Sequence, residues 1–149
     1  MLIVGGGPAG LAAAIRLSQL QKQQGGGALA IAVIEKAREA GAHTLSGAVL
    51  DTSTLRDLIP DFLQRGAPLA SAVHEDRVFF LTQTGQIPFP IIQPPLRTLG
   101  NYIVSLSALV TWLAGQAEAE GVDIFTGFAG QEVLMDGARV TGVRTGDRG

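Results

Sequence analysis

A short apolar run, Leu2-Ile3-Val4, passes directly into Gly5-Gly6-Gly7-Pro8-Ala9-Gly10 and then into an alanine-rich stretch of helical character. This succession of strand, glycine corner and helix leaves few folds open, because each glycine answers a different steric demand. Gly5 permits a tight turn, Gly7 lets the backbone approach a diphosphate, and Gly10 lets helix and strand pack closely. The head of the helix then supplies the partner for that anion. Its unpaired N–H groups and the positive end of its dipole point the same way, so no side-chain cation is needed.

Ala12, Ala13 and Ala14 are expected to keep this helix near the sheet, with Ile15 and Leu17 adding apolar contacts and Arg16 and Gln19 falling toward solvent. Gly25-Gly26-Gly27 ends it, and Ala28 to Ile34 reads as a buried parallel strand. Glu35 closes that strand where a dinucleotide fold places the acid that accepts hydrogen bonds from the adenosine ribose hydroxyls, which disfavours a 2′-phosphate there. Glycines alone are common in turns. Here strand, motif, helix, second strand and acid occur in order, and that order points to a dinucleotide whose identity stays open.

At 149 residues the chain has the length of one domain, enough to bury roughly 70% of its unfolded surface. Eleven Lys and Arg stand against 13 Asp and Glu, a formal charge of −2, and no basic run occurs, so nucleic acid is excluded as a partner. Charged residues make up only 16% and mean hydropathy is +0.30, which implies apolar surface that something else must cover. The longest apolar run, Ala28 to Ile34, is far short of a spanning helix. There is no cysteine, so disulfides, thiolate metal sites and iron–sulfur ligation are excluded within this stretch. Neither His43 nor His74 has a second imidazole or thiolate at ligand spacing, so no metal site is expected. Met1 abuts the first strand, and no leader is read before it.

Gly41 to Val49, bracketed by glycines and without clear periodicity, reads as a loop whose backbone comes near the cofactor. Thr52 to Leu63 reads as a short core helix, with Leu55, Leu58, Ile59, Phe62 and Leu63 on one face and Pro60 as a break. Arg77 to Thr82 is a candidate strand. From Phe79 to Leu96 the chain is apolar yet holds Pro88, Pro90, Pro94 and Pro95, which forbid a regular helix or central strand. Such side chains must be buried under protein or face a greasy partner or a lipid interface, and burial is the favoured expectation.

Gly100 to Val104 leads into a helix with Ser105 or Ser107 as N-cap and Leu109, Leu113 and Ala117 on its packed face. Gly121 stops that helix, Val122 to Phe125 is the next strand, and Glu132 to Met135, the turn Asp136-Gly137, and Arg139 to Thr145 form a hairpin. A simple nicotinamide-binding domain would put a helix and a third parallel strand where this chain has its long insert, at about residues 50 to 100. The insert favours a flavin fold: an α/β, FAD-binding Rossmann-like three-layer domain of the glutathione-reductase or hydroxybenzoate-hydroxylase type, with a β-hairpin. A further strand is expected to follow the hairpin in such a fold, so residues 1 to 149 are expected to be the N-terminal part of an incomplete domain.

Several blocks together resemble the N-terminal part of the electron transfer flavoprotein:ubiquinone oxidoreductase family. They are Val4 to Leu11, Val33-Ile34-Glu35-Lys36, Gly41 to Ala48, Gly66-Ala67-Pro68-Leu69, Glu75-Asp76-Arg77 and Gly100 to Val104. The first block is shared by many FAD enzymes; Gly41 to Ala48 and Gly100 to Val104 are more specific. The resemblance implies a membrane-attached flavoenzyme that takes electrons from reduced electron transfer flavoprotein and passes them to ubiquinone, with FAD and a four-iron cluster whose cysteines lie near the C-terminus of family members. It implies the inner membrane of a bacterium, at its cytoplasmic face, or of a mitochondrion, at its matrix face.

Carried over residue by residue, the resemblance gives Gly5, Gly7, Pro8, Ala9 and Gly10 to the pyrophosphate and Glu35 to the ribose, with Lys36 beside it in the cofactor set. It brings the loop of Gly41, Ala42, His43, Thr44, Leu45, Ser46 and Gly47 to the ribityl chain and flavin ring. Ser105 falls where related folds often place Arg or Gln against the cofactor, and Val133 is an adenine neighbour through its backbone. The segment Phe79 to Leu96 becomes a candidate for contact with the membrane surface, and the helix from Thr52 to Leu63 is its rival. No catalytic acid is required, since the redox chemistry belongs to the cofactors. His43 stands open between a satisfied loop histidine and a donor to a flavin or quinone oxygen. Two other readings remain: an FAD monooxygenase or prenyl reductase of related fold, and an inactive truncated fragment.

Overall fold

The structure is a computed structural model, and it describes residues 1–25, 29–45, 47–90 and 97–146. Its centre is a parallel sheet of three strands in the order β1 (Leu2–Val4), β2 (Ala32–Glu35), β8 (Asp123–Thr126). Successive residues of a strand point to opposite faces, so register decides what each face buries. Ile3, Val33 and Ile124 are aligned across the sheet and all pack into the core. Val4, Ile34 and Phe125 form the next row and point the other way. Central β2 is covered on both faces, with Val33 fully buried and Ile34 nearly so, as a central parallel strand should be.

Two helices cover the first face. Helix α1 (Pro8–Gln24) places Leu11, Ala14, Ile15 and Ser18 inward, a stripe at helical spacing. Of the three alanines after Leu11 only Ala14 is buried; Ala13 lies on the solvent side, a consequence of the 100° advance per residue. Helix α3 (Leu106–Ala119) buries Leu109, Val110, Leu113, Ala114 and Ala117 against α1. The two helices run side by side in the same direction. The Ser18 hydroxyl donates to the Glu120 carbonyl (2.7 Å), and Lys22 pairs with the Glu120 carboxylate (2.6 Å). Glycine ends both helices, Gly25 at φ +60° and Gly121 at φ +89°.

The other face receives the root of an antiparallel hairpin, β9 (Gly130–Asp136) and β10 (Arg139–Thr145). Gly130 lies over Val4 and Ile34. Gly137 sits at φ +59° in the connecting turn, which is Gly137-Ala138, one residue later than the expected Asp136-Gly137. Helices, parallel sheet and hairpin thus form the three expected layers.

The insert differs from its expectation as irregular chain. It holds β3 (Ala48–Leu50), α2 (Ser53–Leu58), β4 (Leu69–Ala72), β5 (Phe79–Leu81) and β6 (Gln86–Pro88). β3 and β4 flank β7 (Tyr102–Val104) in an antiparallel sheet, and β5 pairs with β6. Strands of three or four residues are too short for period-2 alternation to register in sequence. Pro88 is tolerated because it ends a strand of a two-stranded ribbon. Helix α2 is shorter than expected, and after it Ile59 and Phe62 enter the core while Leu63 turns outward at 61% exposure. Within these 149 residues the expected burial of the proline-rich stretch is not met where it is described: Phe80 and Leu81 are 63% and 73% exposed, and Ile87 and Phe89 are also more than half exposed. Ile91 to Leu96 and the start of the strand expected at Ala28 lie outside the described residues.

Ile15→Ala should cost about 2–5 kcal/mol of stability, because it opens a cavity between α1, α3 and the sheet. Leu63→Ala should stay within about 0.5 kcal/mol. Urea denaturation of the two variants separates these outcomes.

Candidate functional site

The parallel strands, the corner at Gly5 and the heads of α1 and α3 converge on the C-terminal edge of the sheet, where open α/β sheets bind ligands. Gly5 adopts φ +108°, which a side chain would resist, and its amide donates to the Ile34 carbonyl (2.8 Å). A Cβ on Gly10 would run into the Gly5 carbonyl oxygen and crowd the Ile3 methyl, so the helix lies on the strand only because residue 10 lacks one. A Cβ on Gly7 would meet nothing within 4 Å, leaving the space before the helix head open for a ligand. Pro8 opens α1, and no side chain caps it. The first-turn N–H groups, those of Ala9 and Gly10 among them, therefore face outward without an intrahelical acceptor.

Glu35 lies beside this corner. One of its oxygens accepts from Gly6 N (2.7 Å) and the other from Ala37 N (2.9 Å). A carboxylate has about four acceptor positions, so lone pairs remain for further donors. A cleft of about 170 Å³ opens here, lined by Val4, Gly5, Ile34, Glu35, Lys36 and the segment Phe128 to Gly130. Phe128 N donates to the Glu35 carbonyl (2.9 Å) and Gly127 N to the Ala37 carbonyl (2.8 Å), which fixes this wall.

The loop after β2 is pinned to the head of α3. The Ser107 hydroxyl donates to the Gly41 carbonyl (2.9 Å) and the Thr111 hydroxyl to the Ala40 carbonyl (3.0 Å). Gly41, at φ +89°, comes so close that a Cβ there would stand 2.6 Å from the Ser107 carbonyl oxygen. From this anchor Ala42, His43 and Leu45 project outward, Leu45 at 87% exposure, and Gly47 sits at φ +90°. Ser46 lies outside the described residues. The Ser105 hydroxyl caps α3 by accepting from Ala108 N (3.3 Å).

Gly5, Glu35 and Lys36 thus line one cleft, Gly7, Pro8, Ala9 and Gly10 form the adjoining helix head, and Ala42 to Leu45 and Ser105 lie toward α3. Val133 is not among the residues lining the cleft; it is 55% exposed on β9, paired with Val143. Sequence reading missed Phe128, Ala129 and Gly130. Their signal was Gly127 and Gly130 in the link between a parallel strand and a hairpin. Ser107 and Thr111 carried none, because hydroxyls pinning a distant loop look like ordinary helix surface.

Gly10→Ala should lower stability by at least about 1–3 kcal/mol, since the clash is with backbone. Gly115→Ala, in an exposed and open position of α3, should raise it by about 0.5–1 kcal/mol. Paired thermal melts test both signs.

A family model described as an NAD(P)-binding Rossmann-like domain matches residues 3–68. Among curated proteins, the mitochondrial electron transfer flavoprotein-ubiquinone oxidoreductase of Mus musculus is 49% identical over 152 aligned residues, covering 100% of this chain and 24% of the mouse protein. Those of Homo sapiens and Dictyostelium discoideum are 47% and 45% identical with the same coverage. The chain therefore spans about a quarter of the length of the curated relatives it matches. Among solved structures, a geranylgeranyl bacteriochlorophyll reductase-like protein from Thermoplasma acidophilum superposes with a TM-score of 0.70 at 21% identity, over 97% of this chain and 34% of that one. The FAD-dependent halogenase CndH gives 0.64 at 20% identity, over 97% and 32%. The chain has a partial Rossmann-like fold of the kind seen in those structures, and along its whole length its sequence is similar to electron transfer flavoprotein-ubiquinone oxidoreductases.

Proposed function

We propose that these residues form the FAD-binding portion of a longer oxidoreductase that passes electrons from reduced electron transfer flavoprotein to ubiquinone. The observation that carries this reading is the 45–49% identity to such enzymes across the entire chain, insert included. The geometry fits the cofactor, because the open space at Gly7 adjoins an uncapped helix head and an acid with spare acceptor sites. The rival monooxygenase and prenyl reductase readings have fold-level likeness at most.

When bound, FAD supplies the redox step by accepting and releasing electrons. The residues of this chain bind and orient it. N–H groups at the head of α1 hold the diphosphate, Glu35 accepts from ribose hydroxyls, and Lys36 sits at the cleft mouth. The backbone of residues 41 to 47 lies along the ribityl chain and flavin ring, with Ser105 near it; His43 is either a loop histidine or a donor to a flavin or quinone oxygen. Val133 is an adenine neighbour through its backbone. The four-iron cluster belongs to a part of the protein outside these 149 residues, which hold no cysteine.

Among the described residues no helix is long and apolar enough to cross a membrane. Attachment is instead assigned to the β5–β6 arm, whose Phe80, Leu81, Ile87 and Phe89 are more than half exposed. Bare aromatic and aliphatic side chains on one short ribbon suit shallow insertion at a lipid interface. The related enzymes named above are mitochondrial, which favours the inner mitochondrial membrane over the bacterial alternative.

Gly7→Val in the full-length protein should leave the fold intact, since none of the described residues occupies that space, and abolish bound flavin. A variant that folds and purifies yellow with full flavin absorbance overturns the assignment. Phe80→Asp with Leu81→Asp should strongly reduce capture by phospholipid vesicles in flotation assays, with flavin content unchanged; undiminished capture refutes the lipid-facing role of the arm.

A further inference from the structure

The β5–β6 arm departs from the body after Asp76 and returns at Thr98. Just inside these roots the β4–β7 pairing is extended by two backbone bonds, Val73 N to Asn101 O (2.8 Å) and Gly100 N to Val73 O (3.2 Å). At the roots themselves, among the described residues, a side chain links the two segments. Asp76 Oδ2 accepts from Thr98 N (2.7 Å) and Leu99 N (3.1 Å), and Oδ1 accepts from the Thr98 hydroxyl (2.5 Å).

These donors hold the Asp76 carboxyl below the usual carboxylate range, the Thr98 hydroxyl foremost, so it is ionised at neutral pH. Hydrogen bonds to an ionised acceptor are about twice as strong as neutral ones. The neighbouring charges do not compete for the role, because Glu75 and Arg77 are exposed and pair with each other (2.7 and 2.8 Å). Beyond the roots, Phe89 N to Val78 O (2.8 Å) and the β5–β6 register hold the arm together internally. Those bonds fix its shape. They do not fix its direction relative to the body, and a ribbon inserts several side chains into a flat surface together only when its direction is fixed.

We propose that Asp76 is a positioning residue for membrane docking: by gripping Thr98 and Leu99 it sets the angle at which the apolar β5–β6 arm meets the lipid surface. Asp76 touches neither lipid nor flavin on this account and acts through the arm. The inference rests on the lipid-facing reading of the arm given above.

The test uses the full-length flavoprotein and vesicles of phosphatidylcholine, phosphatidylethanolamine and cardiolipin. Asp76→Ala should weaken capture roughly three- to tenfold, in keeping with the loss of several charge-assisted hydrogen bonds. Flavin content should be unchanged. Reduction of a long-tailed quinone held in the vesicles should fall in parallel, while reduction of a short-chain water-soluble quinone stays at the wild-type rate. Thr98→Val, which deletes one of the three donors, should give a smaller loss, and Thr98→Ser should restore capture. These two variants decide the matter if Asp76→Ala does not fold. A lowered melting temperature with wild-type capture would mean that Asp76 is merely structural and would overturn the proposal. So would equal losses with both quinones. Undiminished capture in the Asp76 and Thr98 variants, with capture lost in Phe80→Asp/Leu81→Asp, defeats the anchor and spares the lipid-facing arm. Undiminished capture in Phe80→Asp/Leu81→Asp defeats both.

Discussion

The contact of Gly10 with the Gly5 carbonyl is the constraint on which the rest of the structure depends. Because residue 10 has no side chain, α1 leaves the corner lying flat on β1, and Leu11, Ala14 and Ile15 then meet Val33 and the inner stripe of α3. Lift the helix by the thickness of one methyl and the core beneath it opens, since protein interiors hold few voids. The same contact aims the first-turn N–H groups past the end of the sheet. Packing and, on the proposed reading, diphosphate binding therefore follow from one close approach.

Glu35 shows how the corner reaches the second strand. Its carboxylate takes the Gly6 and Ala37 amides, so it bridges the turn after β1 and the turn after β2. A Cβ on Gly6 would press on the Glu35 side chain, which explains why the middle glycine of the corner is needed although it is not at positive φ. The acid is thus a structural brace, and on the proposed reading its remaining lone pairs accept from the ribose, in an orientation that the brace fixes.

Legibility in the sequence followed the length scale of the signal. The parallel strands, both long helices and the β9–β10 hairpin were readable because each repeats its period or carries its own glycine stop, and Ser105 was one of two serines readable as a cap. The insert was not, since β3, β4 and β7 hold three or four residues each and find partners across long stretches of chain. Burial of the proline-rich stretch was misjudged for a related reason: apolar composition says that a surface needs covering, but not whether the cover is protein or lipid. In the candidate site, the steric demands at Gly5 and Gly10 could be read from the motif, and Glu35 from its place at the end of the second strand. Phe128 to Gly130 and the pins from Ser107 and Thr111 depend on tertiary neighbours that no local pattern encodes.

The small β3-β7-β4 sheet gives the insert its purpose in the architecture. Ala48 pairs with Val104, so the loop after β2 and the Ser105 cap of α3 meet at one end of β7. Leu50 and Ala72 both pair with Tyr102, so β4 runs on toward the apolar arm from the other end. A three-residue strand is about 10 Å long. The loop assigned to the flavin and the arm assigned to the lipid therefore leave opposite ends of one short strand, held in register by two antiparallel neighbours. On the proposed reading, that spacing places a cofactor fixed at the sheet edge within reach of a quinone arriving from the bilayer, and it does so without a membrane-crossing segment in the described part of the chain.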